Sequence, residues 1–464
     1  MDMKDLKANG GRYQGGLVDA VSGRVQREIF VNEEIYKEEM EKVFGRAWLF
    51  VGHESQIPNR GDFFSSRMGE EAVILCRDDE GKIRVLLNSC RHRGMKVCRY
   101  DEGNAKDFVC SYHAWAFRLN GELYSVPLLK EAYQNKLDMA SLSLAHAAQV
   151  HNYKGSIWAT WDKNAPGFLD YIGEYRLYFD LTLDAWDGEE GGTEVLCGVQ
   201  KWKIPCNWKF HAENFSGDRY HATISHASVN MAGTRPGVKG RRDTGEREIS
   251  RYMQTCFPEF GHTGGVYILP RDVETPLSYR DSAIVSEYFR ECEAKRRKLR
   301  GELGRLIGSP GLIFPNLGLI PRQPRAFAVS HPSGPHQTEA WRWFLVDKKA
   351  PTEVRRYLID FYVRYGGPSG MTEQDDMENW NYAHAASRGT IARQYAYDYS
   401  QGLGRGVRDR QYDGLTLPGV VADLQDDQSS EQNMRCFYGR WADYMDARSW
   451  SDLMVDKNRR PATR

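Results

Sequence analysis

Apolar residues recur at helical spacing after Asn32. Tyr36, Met40, Val43 and Phe44 fall on one face, and Asn32 is suited to cap the helix this predicts through about Phe44. The period then changes. "AVILC" and "IRVLLN" flank the turn "RDDEGK" and predict a hairpin. "FRLNGELYSV" predicts another, with Asn120-Gly121 as a type I′ turn. "KGSIWATWD" reads as a further strand. Residues from about 45 to 162 are therefore expected to form a small, mainly β domain.

Beyond it the pattern is mixed. "NWKFHAENFSGDRYHATISH" reads as a helix, and "RAFAVSHPS" and "TEAWRWFLVD" read as strands. A helix is predicted from Thr372 through "EQDDMENWNYAHAA". Ser429 and Gln432 form a capping-box pattern ahead of Met434, Phe437, Tyr438 and Trp441 at helical spacing. The fold class expected is α+β: a small all-β domain, then a domain of helices against an antiparallel sheet. The division expected is 1–44, a helical segment packing on the last domain, then 45–162 and 163–464. There is no internal repeat and no low-complexity linker.

The length, 464 residues, suits two or three domains with ample core. Lys and Arg together number 63, as do Asp and Glu, so no broad basic field is offered to nucleic acid or an anionic membrane. The opening "MDMKDLKANGG" is polar and is read as carrying no signal segment. The longest apolar candidate, "GLIFPNLGLIP", is short and broken by Pro315 and Asn316, so no membrane span is expected. Nine cysteines in so long a chain do not make a disulfide scaffold; a reducing cytoplasm is expected, with thiolates free to bind metal.

Three of those cysteines lie in "CRHRGMKVCRYDEGNAKDFVCSYH", where Cys90-x-His92 and Cys110-x-x-His113 form two Cys–His pairs. Four matched ligand types on two short loops are improbable as ordinary core residues. Spacing alone leaves two metals open: structural zinc, or a Rieske [2Fe–2S] cluster with two Cys on one iron and two His on the other. A zinc staple serves a domain too small to fold alone, and this one has hairpins and an aromatic core of its own. Cys98, on the strand-like "MKVCRY", is given a core role.

A second cluster follows. On a helix, Asn214, Asp218, His221 and Ser225 would form one polar stripe among Phe210, Phe215 and Tyr220. His221 and His226 are five apart, and at about 100° per residue they would diverge by roughly 140°. They can share a metal only if the helix ends or bulges between them. Two histidines and one carboxylate are the donor set of non-haem Fe(II) oxygenases, which leaves positions open for O2. "TEQDDMENW" offers Asp375 and Asp376. With Thr372 as N-cap, Asp375 would sit at N3 and return a hydrogen bond to the cap, leaving Asp376 as the ligand.

The flanking "HRGM" and "YHAW" resemble the Rieske domain of aromatic-ring-hydroxylating dioxygenases, although Ala114 stands where that family usually has Gly. If the backbone needs positive φ there, Ala costs about 1 kcal/mol. "AENFSGDRYHATISH" and "EQDDMENW" resemble the catalytic large subunit of naphthalene- and biphenyl-type dioxygenases, and the likeness runs from "VFGRAWLFVGHES" to "SEQNMRCFYGRWADYM". The resemblance implies cluster ligands Cys90, His92, Cys110 and His113, and mononuclear iron ligands His221, His226 and Asp376. It makes Asp218 similar to the family's bridging aspartate and Asn214 to its pocket asparagine. "GLIFPNLGLI" is similar to a pocket-lining strand, so Phe215, Leu312, Phe314 and Leu317 are candidate lining residues. The implied activity adds both atoms of O2 to an arene to give a cis-dihydrodiol. Electrons would come from NAD(P)H through a reductase and ferredoxin, and a small subunit would complete a hexamer of three large and three small chains. The competing readings are a Rieske monooxygenase acting on a substituted aromatic acid and, from another class, a non-catalytic zinc-binding or electron-carrying protein. The charged "GVKGRRDTGEREISRY" is read as a surface loop.

Overall fold

The structure, a computed structural model, describes residues 11–231, 250–272, 282–322, 324–424 and 429–453. Contacts divide the chain into two units, Phe44–Phe168 and the remainder, Met1–Val43 with Leu169–Arg464. The run 237–249, most of "GVKGRRDTGEREISRY", lies outside the described residues. No helix among those described is long and apolar enough to cross a membrane.

The smaller unit is made of short antiparallel strands. In chain order they are β1 (Leu49–His53), β2 (Asp62–Met68), β3 (Glu71–Arg77), β4 (Ile83–Leu87), β5 (Glu102–Asn104), β6 (Asp107–Val109), β7 (Ala116–Arg118), β8 (Leu123–Ser125), β9 (Gln149–Tyr153) and β10 (Ser156–Thr160). They form three sheets, ordered β4-β3-β2-β5, β8-β7-β6 and β9-β10-β1. The β3–β4 hairpin stands where "RDDEGK" predicts it, with Leu75 opposite Val85. Asp78 closes its turn, accepting from the backbone N–H groups of Glu80 and Lys82 at 3.0 and 2.8 Å. The β7–β8 turn differs from the type I′ expectation. Only Gly121 of the Asn120-Gly121 pair has positive φ, +88°, and its N–H donates to the Arg118 carbonyl at 2.9 Å. This is a three-residue loop with glycine in the left-handed bulge position, whereas type I′ needs positive φ at both central residues. The core gathers Phe63, Ile74, Leu86, Phe108, Phe117 and Cys98. Cys98 sits in irregular backbone and not on a strand; Asn88 brackets it, donating to its carbonyl at 2.7 Å and accepting from its N–H at 2.9 Å.

In the larger unit, Asn32 caps α1 (Glu33–Glu39), its Oδ1 accepting from the N–H groups of Glu34 and Ile35 at 2.8 and 3.1 Å. The helix widens into a π-helical turn, Met40–Phe44. The remaining helices named here are α2 (Trp208–Phe215), α3 (Ala283–Arg300), α4 (Thr352–Tyr365), α5 (Met371–Ser387) and α6 (Gln432–Asp446). The strands of its large sheet are β11 (Thr193–Val195), β12 (Gln200–Ile204), β13 (Arg251–Phe257), β14 (His262–Ile268), β15 (Leu306–Ile313), β16 (Leu317–Ile320), β17 (Ala326–Pro332), β18 (Thr338–Asp347), β19 (Val407–Tyr412) and β20 (Leu415–Asp423). They make a ten-stranded antiparallel sheet in the order β11-β18-β17-β16-β15-β14-β13-β20-β19, with β12 also paired to β18. "GLIFPNLGLI" is thus the end of β15, a tight turn at 314–316, and β16.

Helix α2 lies against β15 to β18 and α6 against β13 and β14. Glu39, at the end of α1, explains how these helices are tied. It is fully buried, accepts from the indole N–H of Trp208 at 3.0 Å and of Trp441 at 2.8 Å, and pairs with Lys209. The apolar residues predicted for α6, Met434, Phe437, Tyr438 and Trp441, are all buried. The Ser429–Gln432 capping box does not form. Glu431 is the N-cap without a side-chain bond, and the Ser430 hydroxyl accepts from the Gln432 N–H at 3.2 Å.

Candidate metal centres

In the smaller unit two loops of one shape present the Cys–His pairs. The Cys90 N–H donates to Met95 O at 2.8 Å and the Gly94 N–H returns to Cys90 O at 2.8 Å. The Cys110 N–H donates to Trp115 O at 2.9 Å and the Ala114 N–H returns to Cys110 O at 2.9 Å. The fourth residue after each cysteine is left-handed: Gly94 at φ +73° and Ala114 at φ +53°. Alanine therefore occupies the conformation that glycine adopts without strain in the matching loop. Both cysteines are buried, while His92 and His113 are partly exposed. The two imidazoles meet edge to face at 4.5 Å, and His92 stacks on Trp115 at 4.8 Å. Burial raises the Cys90 thiol, and burial with His113 and Arg93 lowers His92. His92 Nδ1 is buried without a hydrogen-bond partner among the described residues. Two cysteine sulfurs inside and two imidazoles outside fit a cluster with sulfur donors on one iron and nitrogen donors on the other.

The second centre stands where α2 stops. The predicted helix through 226 ends at Phe215, because Gly217 turns the chain at φ +111°. A 3-10 turn, His221–Thr223, and a short helix, Ala227–Met231, follow. This break lets residues five apart converge. His221 Nε2 and His226 Nε2 lie 3.2 Å apart, and Asp376 Oδ1 lies 3.3 and 3.5 Å from them. Three donors on one face of a metal at about 2.1 Å would be spaced roughly 3 Å apart. This donor set could hold one metal ion.

Each of these histidines has a carboxylate behind it. Asp218 Oδ2 lies 3.0 Å from His221 Nδ1, and Asp375 Oδ2 lies 3.6 Å from His226 Nδ1. Asp218 Oδ1 accepts from the N–H groups of Tyr220 and His221 at 2.9 and 3.4 Å. Burial works against charge on His221, but Asp218 and Asp376 outweigh it and raise the imidazole to about 10. A proton and a cation are thus alternatives for the same negative field. Asn214 Nδ2 approaches the other oxygen of Asp376 at 3.5 Å.

The helix-cap reading of Asp375 is corrected. Helix α5 starts at Met371 with Gly370 as N-cap; Thr372 lies inside it and donates its hydroxyl to Tyr365 O. Asp375 instead accepts from the Ser228 hydroxyl at 2.8 Å while facing His226. One turn back, Glu373 pairs with Arg342 at 2.7 Å and lies 3.5 Å from His211 Nε2, whose Nδ1 meets the Ser330 hydroxyl at 2.6 Å. Burial would raise the Glu373 carboxyl, yet Arg342 and His211 hold it near 2. That chain fixes α5 to α2 and the sheet. His211, Ser330, Arg342 and Glu373 come from four separate segments, and no local pattern joins them. Among the candidate lining residues, Phe215 packs its ring near His211 and under the Arg342 guanidinium. Leu312 and Leu317 are buried on β15 and β16, and the Phe314 ring lies among Tyr444 and Phe437 at 5.0 and 5.9 Å, in the core.

Comparison with known proteins places both halves. Residues 47–148 match the family described as Rieske [2Fe-2S] domain, and residues 183–447 match Ring hydroxylating alpha subunit (catalytic domain). The chain is 39% identical to biphenyl 2,3-dioxygenase subunit alpha of Rhodococcus jostii (strain RHA1), over 94% of this chain and 92% of that protein. It is 36% identical to benzene 1,2-dioxygenase subunit alpha of Pseudomonas putida, over 95% of each. A solved naphthalene 1,2-dioxygenase with indole bound in its active site superimposes with a TM-score of 0.82 at 30% identity, covering 96% of this chain and 97% of that one.

Proposed function

This chain belongs to the ring-hydroxylating alpha-subunit family, and from that premise we propose that it adds both atoms of O2 to adjacent carbons of an aromatic hydrocarbon, giving a cis-dihydrodiol. It is a dioxygenase alpha subunit with one Rieske [2Fe–2S] cluster and one mononuclear non-haem iron. Relatives named for biphenyl, benzene and naphthalene support an apolar arene as the substrate class. When bound, the cluster supplies single electrons and the iron supplies the centre at which O2 is activated.

The protein residues do the rest. Cys90, His92, Cys110 and His113 hold the cluster; His221, His226 and Asp376 hold the iron. The observation that carries the reading is the convergence of those last three donor atoms within 3.5 Å, Asp376 coming from α5 and the two histidines from a segment where the helix breaks. Asp218 and Asp375 fix the two imidazoles so that each presents Nε2 to the metal. Asn214 steadies the second oxygen of Asp376. Phe215, Leu312 and Leu317 give the substrate an apolar wall and keep bulk water from it. Asp218 also has lone pairs to accept from His113 of a neighbouring copy of this chain, which would join the centres of adjacent chains by hydrogen bonds. Reducing equivalents come from NAD(P)H through a reductase and a ferredoxin. A small subunit completes a hexamer of three large and three small chains in the cytoplasm.

The test is oxygen counting. The oxygenase, supplied with electron donors, 18O2 and a panel of arenes, should yield a cis-dihydrodiol with two labelled atoms. One labelled atom on a phenol or alcohol would establish monooxygenation instead.

A further inference from the structure

The larger unit holds a cavity far along the chain from the metal ligands, between the C-terminal part of α3 and the start of β15. Its volume is about 80 Å3, and Trp186, Arg296, Arg300, Arg325, Leu306 and Ile307 are among the residues that line it. That is space for more than one water molecule.

Its cations are unequally matched. Arg325 pairs with Asp347 at 3.0 Å, and Arg300 pairs with Asp184 at 2.9 Å. Asp184 is further satisfied by the Gly191 N–H at 3.0 Å. Arg296 has no ion-pair partner among the described residues. Its Nε and Nη1 donate to the backbone carbonyls of Gly304 and Trp186 at 3.1 and 3.2 Å. Arg296 is only 7% exposed and Arg325 only 2%. Both guanidinium groups lie near the Trp186 ring, at 5.2 and 5.1 Å from its centroid. Burial pushes Arg296 down to about 10, which still leaves it charged at neutral pH.

Three donors around this ring are buried and without a hydrogen-bond partner among the described residues: Arg296 Nη2, Arg325 Nε and Trp186 Nε1. A buried guanidinium N–H left unpaired is costly, and an arginine without a direct ion pair beside two further unpartnered donors is suited to an acceptor group. We infer that this cavity is a binding site for a small carboxylate anion. One negative charge would answer Arg296, the lining arginine without a direct ion-pair partner among the described residues. The two carboxylate oxygens can accept from Arg296 and from Arg325 or Trp186, the planar recognition to which guanidinium groups are suited. Leu306, Ile307, Leu177 and Leu303 would take a short apolar tail. The partly exposed Asp180 also lines the cavity and disfavours a polyvalent anion. Because Leu306 and Ile307 open β15, a ligand here would brace the root of the strand that carries Leu312.

Acetate is the probe, with neutral acetamide of the same size as control. The assembled oxygenase should show a saturable rise in melting temperature with acetate at fixed ionic strength, roughly 2 °C at a hundredfold excess over half-saturation. Acetamide should give no shift. Arg296→Gln should lose the response. Trp186→Phe, which keeps the ring and removes one donor, should raise the half-saturating concentration several-fold, and it serves where Arg296→Gln does not assemble. An equal shift with acetamide, an undiminished response in both variants, or only water between Arg296 and Arg325 in an acetate-soaked crystal would overturn the inference.

Discussion

Asp375 Oδ2 faces His226 Nδ1 at 3.6 Å, as Asp218 Oδ2 faces His221 Nδ1 at 3.0 Å, so the two histidines of the second centre are backed by carboxylates from different elements. Such carboxylates orient imidazole ligands, and removing one typically costs 10–100-fold in metal affinity or activity. Asp375→Ala should therefore lower iron occupancy and turnover by about that factor. Iron counted per cluster, with turnover measured alongside, checks it. Full iron with a merely lower melting point would return Asp375 to a helix-stabilising role.

Asp376→Ala removes a donor outright. Mononuclear iron and product formation should both vanish while the visible spectrum of the cluster stays unchanged. Retained turnover at normal iron content would show that another acid completes the set.

Asp218→Asn keeps the shape of the side chain and changes its charge. Both metals should remain bound and the cluster should still be reduced by its donor, yet substrate oxidation should nearly stop. Stopped-flow oxidation of the reduced cluster by O2 and substrate reads this; a rate equal to wild type would argue that Asp218 only orients His221.

The two Cys–His loops invite an exchange of residues. Ala114→Gly should stabilise the protein by about 1 kcal/mol, and Gly94→Ala should destabilise it by a similar amount, because both positions have positive φ. Denaturation with the cluster intact measures both. An Ala114→Gly variant that melts lower than wild type would mean the alanine methyl is held by packing.

Glu213 offers a pH dependence. Burial, helped by Asp218 and Glu431, raises its carboxyl to about 8 despite hydroxyl donors from Tyr438 and Tyr399. A carboxyl whose folded value lies above its unfolded value contributes stability that is complete below about 4.5 and is lost as pH rises through about 8. The melting temperature of wild type should fall between these limits as pH increases. Glu213→Gln, neutral throughout, should lack that component of the slope. Parallel profiles for the two proteins would remove Glu213 as its source.

The candidate ligands of both centres could be picked out in the sequence because ligand types and spacing are local facts. The five-residue gap between His221 and His226 even required the helix to break, although the stripe through Asn214, Asp218 and Ser225 still suggested that it continued. The break itself rests on Gly217, whose φ a hydrophobic pattern does not report. Asp375 was misread because two adjacent acids near a helix start look alike until the rotation of α5 on the sheet is known. The same holds for Glu39 and Lys209, and for Arg296, whose environments are assembled from residues far apart along the chain.

The helix break after Phe215 also divides the labour within the second centre. Asp376 stands on a seventeen-residue helix clamped from behind by Glu373 and Arg342, whereas His221 and His226 ride on short turns. One ligand would thus come from a braced helix and two from short turns. The helix would set where a metal sits, and the turns how fast it enters and leaves. Substitutions in the turns should change metal exchange rates before they change coordination geometry.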